Sequence, residues 1–475
     1  MIDSEEGAAA RGAGPRDATP GGAATAELAA LGYKQELKRS LSLADLVVWG
    51  LLFIGPIAPT SVFGFVYNLS HGMPALVYAV GLVAMLFTAL SYMAMGREFP
   101  LSGSVYAYVA RGAGETVGFM AGWAILLDYV LLPTLVYVGT ATAFHVLFPW
   151  LPKTPQILAF LVVITGVNLA GVNMANWVNR IMLALNVVVL ALILVLAAVG
   201  LSRGTAGAHF SVAPLYQPGV VTPKLIFGAL SLAVLSFLGF DAISTLAEEA
   251  RGGAKDIGRA TFLSLVLSAV LFVLQTYLAG LFVLGHPPFA AGDEAATAFL
   301  QIARILGGEP FRFFVAFAGS AGALSAAVVA QAATARILYG MARDGQLPRP
   351  LARISGARQV PDIAILAISL VTLGTSLFFQ NLLQQLTAIV TCGAMLGFLA
   401  LHASVIIHFR GGLRPGANLV RHLACPLIGA AIIGYVLWNT ETLAKAVAGG
   451  WLALGVAIAV TLRLTGRGLK LQDGL

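Results

Sequence analysis

Charge is what this chain has least of. Only 10% of its 475 residues are Asp, Glu, Lys or Arg and the mean hydropathy is +0.88, whereas a soluble domain carries about 25% charged residues. A surface that poor in charge excludes an ordinary water-soluble globule. Cysteine is nearly absent too. Cys392 and Cys425 both fall in apolar stretches and read as small core residues, which argues against a disulfide framework or a thiolate metal site. The sequence contains no HExxH, no CxxC, no GxxxxGK[ST] and no GxSxG in a strand-to-helix setting, so no enzyme, resident metal or cofactor is expected. The missing phosphate loop argues against a pump carrying its own ATP motor. The missing selectivity-filter repeat argues against a channel.

Long apolar runs are what remain. Twelve of them, each long enough to cross a bilayer, lie between about Leu43 and Leu464, with charge confined mostly to the links. A hydrocarbon core of ~30 Å takes ~20 apolar residues at helical rise, and lipid satisfies no backbone polar group. The expected fold class is therefore an all-α integral membrane protein of twelve transmembrane helices. The spans, numbered 1 to 12, are placed at 43–69, 74–96, 117–147, 156–175, 178–201, 223–249, 260–284, 311–340, 362–379, 384–409, 422–440 and 444–464. Residues 1–33 are rich in Ala and Gly with scattered charge. They read as a disordered cytoplasmic tail without the apolar core of a cleavable signal peptide, ahead of a permease domain over 34–475.

Charge placement gives the orientation. With the N-terminus inside, twenty Lys and Arg fall on inner links and flanks, from Lys34 through Arg111, Arg251 and Arg414 to Lys470. The outer side keeps only Lys153, Arg203, Lys224, Arg304, Arg312 and Lys445. By the positive-inside rule both termini face the cytoplasm, and the net charge of +7 reports orientation in a cell inner membrane rather than a nucleic-acid partner. Two links, 97–116 inside and 285–310 outside, are long and partly amphipathic. A long link after the second helix of each set of five, on opposite faces, is what an inverted 5+5 repeat produces. Repeat one would cover about 43–201 and repeat two about 223–409, with spans 11 and 12 (about 422–464) appended.

Inverted-repeat transporters place their site where the first helix of each repeat is broken. Span 1 reads GLLFIGPIAPTSVFG, in which Gly55, Pro56 and Pro59 interrupt the apolar run and Thr60 and Ser61 follow. Proline removes a donor, so the ladder is expected to open near Ala58 to Ser61, freeing amides for a substrate carboxylate at a helix N-terminus. The plain alternative is a proline-kinked helix. Span 6 reads SFLGFDAISTLAEEA, with Gly239, Phe240 and Asp241 near mid-span. An ionisable group at that depth is expensive and usually functional, although Asp241 could also simply cap a half-helix starting at Ala242. Glu248 and Glu249 at the inner end suit a gating or structural ion pair. Span 3 carries Asp128 and Tyr129 near its middle. A buried carboxylate needs a proton or a partner, and an aromatic face suits an ammonium, but neighbouring residues point about 100° apart, so one can line a cavity while the other packs. His145, His402 and His408 lie near span ends and are expected to pack at the interface.

These residues carry a resemblance. The segments EFPLSGSVYAYVARGAGETVGFMAGWAILLDY, GFDAISTLAEEA, TARILYGMARDGQLP and PLIGAAIIGYVLWN resemble the amino acid–polyamine–organocation permeases, and among them the bacterial putrescine importers and related amino acid permeases, from about residue 37 to the C-terminal end. The resemblance implies a twelve-helix inverted repeat with substrate at broken helices 1 and 6, and import usually driven by protons. Site residues expected on that basis are Pro59, Thr60, Ser61, Tyr129, Gly239, Phe240 and Asp241 for substrate, and Asp128, Asp241, Glu248, Glu249 and Asn186 for proton coupling or gating. Three departures stand out: Ser61 where the putrescine importers resemble one another in an aspartate, Asn186 near the position of a lysine in several proton-coupled relatives, and Gly253 and Gly258 in place of a proline pair after span 6. The reading is a secondary active permease importing an amino acid or polyamine, with H+ as the expected coupling ion. The alternatives are an amino acid/amine exchanger and a transporter-derived substrate sensor.

Overall fold

The computed structural model describes residues 41–99, 104–170, 172–246, 250–343, 348–355 and 360–464. Among them every regular element is helical, the one exception being an isolated bridge between Leu41 and Ala250. Ten helices of the described residues are long and apolar enough to cross a membrane. Their outward faces confirm the solvent they are built for. Val162, Leu370 and Phe378 are each at least 70% exposed, an arrangement that water would penalise and lipid does not.

Two further apolar runs are interrupted. Span 1 comprises the helix Leu43–Ile54, a 3₁₀ turn over Ala58–Ser61 and the helix Phe63–Leu69. It begins where a capping box dictates: Ser42 Oγ accepts from the Asp45 amide at 3.3 Å, and the Asp45 carboxylate accepts from the Ser42 amide at 2.9 Å. Span 6 starts at Pro223, behind the Thr222 cap. It tightens to 3₁₀ geometry over Val234–Phe237, opens at Leu238 and Gly239, and resumes as a 3₁₀ helix over Phe240–Leu246. The Arg251 amide donates to the Leu41 carbonyl at 3.0 Å, so the flanks of the two broken spans are tied together at one end.

Some boundaries depart from expectation. The fourth and fifth spans run Lys153–Ala170 and Val172–Ser202, which moves the link from 176–177 to residue 171. The helix of span 5 thus begins six residues ahead of the expected start at 178. The first long link holds the helix Ser104–Ala113; the second holds the single turn Asp293–Ala296 and then the stretch from Ala298 to a kink at Gly307 and Gly308, beyond which span 8 continues to Arg343. Spans 11 and 12 run Cys425–Asn439 and Thr442–Leu464, the former preceded by a wide π-helical turn over Val420–Ala424.

His402 requires a correction. It is fully buried rather than interfacial: Ser91 Oγ lies 2.9 Å from Nδ1 and Thr88 Oγ1 3.4 Å from Nε2, joining span 10 to span 2 in the core. Gly429 of span 11 makes room for the ring, since a Cβ there would stand 2.3 Å from it. His145 and His408 do sit at helix ends, against the Leu151 carbonyl and the Glu98 carboxylate respectively.

Candidate functional site

The two breaks meet. Gly239, with φ at +105°, packs on the span 1 backbone so tightly that a Cβ would lie 2.5 Å from the Phe53 carbonyl oxygen. Only glycine combines that backbone conformation with that approach. Further along, Gly50 of span 1 faces Ile243 of span 6 and Ser264 of span 7, and Ser264 donates to the Val47 carbonyl at 3.1 Å.

In span 1 the opening lies at Gly55–Ile57, ahead of the expected Ala58–Ser61. Gly55 (φ +79°) ends the first half-helix, and the next residues close at once into 3₁₀ bonds from the Ala58, Thr60 and Val62 amides to the carbonyls of Gly55, Ile57 and Pro59. Thr60 and Ser61 spend their hydroxyls locally, each donating at 2.8 Å, to Ile57 and Ala58. Pro59 is buried, while Ser61 is exposed. The carbonyl that the opening leaves over, on Pro56, is met from span 7: Gln275 Nε2 donates to it at 3.0 Å. Gln275 was not singled out in the sequence. Its signal was there, a fully polar amide in an apolar run at spacings of eleven and seven from Ser264 and Ser268 on the same face.

Asp241 lies in the first turn after the span 6 break and is only 7% exposed. The helix begins at Phe240, two residues before the expected Ala242, so Asp241 sits inside its first turn. The backbone amides of Gly239, Asp241 and Ala242 lie close about its carboxylate, the Ala242 amide donating to the Gly239 carbonyl at 3.1 Å, and the Tyr92 hydroxyl of span 2 donates to Oδ2 at 3.4 Å. Asp241 is therefore the second residue of the half-helix rather than its N-cap. Rings close around it: Tyr92 meets Phe240 at 5.6 Å, Tyr108 at 6.1 Å and Phe398 of span 10 at 6.2 Å, all edge to face. Tyr92 and Phe398 were also missed, because aromatic residues in apolar helices are ordinarily core. Beside Tyr92, Tyr108 and Ser244 a cavity of about 10 Å³ has room for roughly one water.

Asp128 stands within electrostatic reach of Asp241. Its Oδ1 is closed off from solvent and has no hydrogen-bond partner in the described residues, which is costly for a charged oxygen unless a proton or a cation joins it. Gly393 of span 10 packs directly on the backbone from Ala124 to Asp128. Tyr129 packs against the main core cluster, and its carbonyl accepts from Thr334 of span 8 at 3.0 Å; it also feels both carboxylates electrostatically. Asn186 of span 5 has its side chain against Gly322 of span 8, and its Oδ1 is buried without a hydrogen-bond partner among the described residues. Glu248 and Glu249 lie outside the described residues. No group of three or more potential metal ligands occurs among those described.

What gathers at the crossing of spans 1, 2, 3, 6 and 10 is thus an acidic, aromatic-walled locus in the middle of a membrane bundle. Its carboxylates could balance a positive charge that lipid would otherwise exclude. Residues 46–446 match the model of a family described as amino acid permease. The low-affinity putrescine importer of Escherichia coli K12 is 30% identical over 426 residues, 89% of this chain and 93% of its own. The branched-chain amino acid permease of Bacillus subtilis is 27% identical over 405 residues, covering 80% of this chain and 83% of its own. A vacuolar cationic amino acid transporter of Arabidopsis thaliana is 26% identical over 398 residues, covering 79% and 60%.

Proposed function

Since the chain belongs to the amino acid permease family, within the amino acid–polyamine–organocation superfamily, we propose that it is a secondary active importer of an amine-bearing metabolite, an amino acid or a polyamine, in a bacterial inner membrane. The observation that carries this reading is Asp241, a buried carboxylate close to backbone amides at the break of one span, where that break rests on the broken span beside it. The ten long helices and the two interrupted ones fit a twelve-span bundle with an inverted 5+5 repeat, spans 1 and 6 broken, spans 11 and 12 appended and both termini cytoplasmic.

In this mechanism the substrate ammonium binds against Asp241, with Tyr92, Phe240 and Phe398 excluding water and presenting ring faces and edges. Neutralising a carboxylate at mid-membrane by the substrate's own charge is what makes binding favourable there. Asp128 is the proton site. Its Oδ1, buried without a hydrogen-bond partner among the described residues, is the atom that would carry the proton. Pro59, Thr60, Ser61 and Tyr129 line the substrate's other end, and Asn186 takes the place of a coupling lysine without supplying a charge.

The substrate's second group decides between the two classes. A carboxylate would have to win the Thr60 and Ser61 hydroxyls from the Ile57 and Ala58 carbonyls they now meet, whereas a diamine would need a second anion, for which Asp128 is the available group. Uptake of labelled amino acids and diamines into proteoliposomes under an imposed proton gradient tests the proposal. Gradient-driven accumulation supports symport. Accumulation that needs internal substrate and ignores the gradient supports the runner-up, an amino acid/amine exchanger. No flux of any amine overturns both.

A further inference from the structure

The kink that leads into span 8 builds a charged corner that transport leaves unused. Helical geometry fails at Gly307 and Gly308, and the turn brings Arg304, Glu309 and Arg312 together. Arg304 Nε lies 2.8 Å from Glu309 Oε1, and Arg312 Nη1 lies 3.4 and 3.3 Å from the two Glu309 oxygens. One carboxylate therefore answers two guanidiniums, and the trio keeps a net positive charge. Arg312 Nε is buried and has no hydrogen-bond partner among the described residues. A guanidinium presents five donors in a fixed fork, and here part of that fork is turned away from Glu309. Beside it is a cleft of about 610 Å³ lined by Gln301, Arg304, Ile305 and Arg312.

Aromatic rings give this corner its depth. Phe313, the next residue after Arg312, is 39% exposed and meets Phe148 at 5.6 Å, and Phe148 meets Trp150, itself 77% exposed, at 6.1 Å. Phe317, one turn farther into span 8, is also exposed. Exposed Trp and Phe clustered at the end of apolar helices mark the headgroup level of a bilayer. Arginines at that level, carrying net positive charge and lining an open cleft, match a phosphodiester, which guanidinium engages in bidentate fashion.

We propose that the cleft between Arg304 and Arg312 binds the phosphate headgroup of an anionic phospholipid. The site is separate from the carboxylates of the transport path, and Glu309 sets its affinity by competing for both guanidiniums.

The test titrates the purified full-length protein in neutral detergent with phosphatidylglycerol, phosphatidylcholine or inorganic phosphate and follows the thermal unfolding midpoint. Phosphatidylglycerol is expected to raise the midpoint saturably, with the other two giving no shift. In Arg304→Gln/Arg312→Gln the half-saturating phosphatidylglycerol concentration should rise about tenfold, the equivalent of one charge-assisted contact, while Arg410→Gln on another link leaves it unchanged. Glu309→Gln releases both guanidiniums and should lower that concentration, a gain that loss of folding could not imitate. An unchanged response in the double variant together with no gain in Glu309→Gln overturns the proposal. So does an equal shift from inorganic phosphate, which would make this a site for free anions only.

Discussion

Gly239 stands against Phe53 with no space for a side chain: a Cβ on the glycine would sit 2.5 Å from the Phe53 carbonyl oxygen and 2.8 Å from its carbon. The obstacle is backbone, which cannot rotate aside, and φ at +105° adds strain for any other residue. Gly239→Ala should therefore destabilise the protein by on the order of 2 kcal/mol or more and slow uptake, because it pushes the two broken spans apart at Asp241. Thermal unfolding in detergent and initial uptake rate measure both effects; a variant matching wild type in each would mean the close approach has no role.

Gln275 offers a separate handle on the same region. Its amide donates to the Pro56 carbonyl at 3.0 Å in a fully buried setting, and losing a buried partner costs ~1–3 kcal/mol. Gln275→Leu should lower the unfolding midpoint accordingly and raise KM for the substrate. Gln275→Glu, which replaces the donor with an acceptor facing a carbonyl, should be worse. Equal behaviour of the two variants in stability and KM would show that the hydrogen bond to Pro56 is not what matters.

Tyr92 should matter less than the acid it serves. The 3.4 Å separation between its hydroxyl and Asp241 exceeds the usual 2.7–2.8 Å of such bonds, while the ring makes three edge-to-face contacts. Tyr92→Phe keeps the ring contacts and should raise KM only a few-fold, about 1 kcal/mol. Tyr92→Ala should disrupt folding or abolish uptake. Competition curves for Tyr92→Phe and wild type decide the matter, and a loss as deep as that of the Asp241 variants would assign the hydroxyl a direct substrate contact.

Span 12 is held by a reciprocal clasp: Trp123 Nε1 donates to the Trp451 carbonyl, and Trp451 Nε1 to the Trp123 carbonyl, both at 2.7 Å, with the rings stacked at 4.6 Å. Trp451→Phe removes one bond and keeps most of the stack, so it should cost ~0.5–1.5 kcal/mol of stability and leave uptake near wild type. A transport defect without a stability defect would give the appended helix a working part in the cycle.

The apolar runs and the two broken spans were legible because Gly55, Pro56, Pro59 and Gly239 advertise backbone that cannot stay helical. Asp241 and Asp128 were legible because a carboxylate in a hydrophobic run has few innocent explanations. Other features depend on tertiary placement. Tyr92 and Phe398 read as core until the fold sets them around Asp241. Gln275 gains its meaning only when Pro56 is beside it. The opening of span 1 was placed too late along the chain, since a 3₁₀ turn after Gly55 re-engages the amides of Ala58, Thr60 and Val62, a local closure that counting prolines does not reveal. His402 looked interfacial from its distance to the span end, yet Ser91, Thr88 and the missing side chain of Gly429 make a pocket for it inside.

The most direct test of the account is uptake by Asp241→Asn, beside wild type and Asp128→Asn, in proteoliposomes under an imposed proton gradient. Asparagine has nearly the shape of aspartate, so the first substitution removes charge while sparing the packing of the half-helix after Gly239. The account predicts wild-type accumulation of at least one labelled amino acid or diamine. It predicts near-complete loss in Asp241→Asn with normal membrane expression and unfolding midpoint. Asp128→Asn should retain counterflow but no longer follow the proton gradient. Full, gradient-dependent uptake by Asp241→Asn would contradict the central claim and reduce that carboxylate to a structural role.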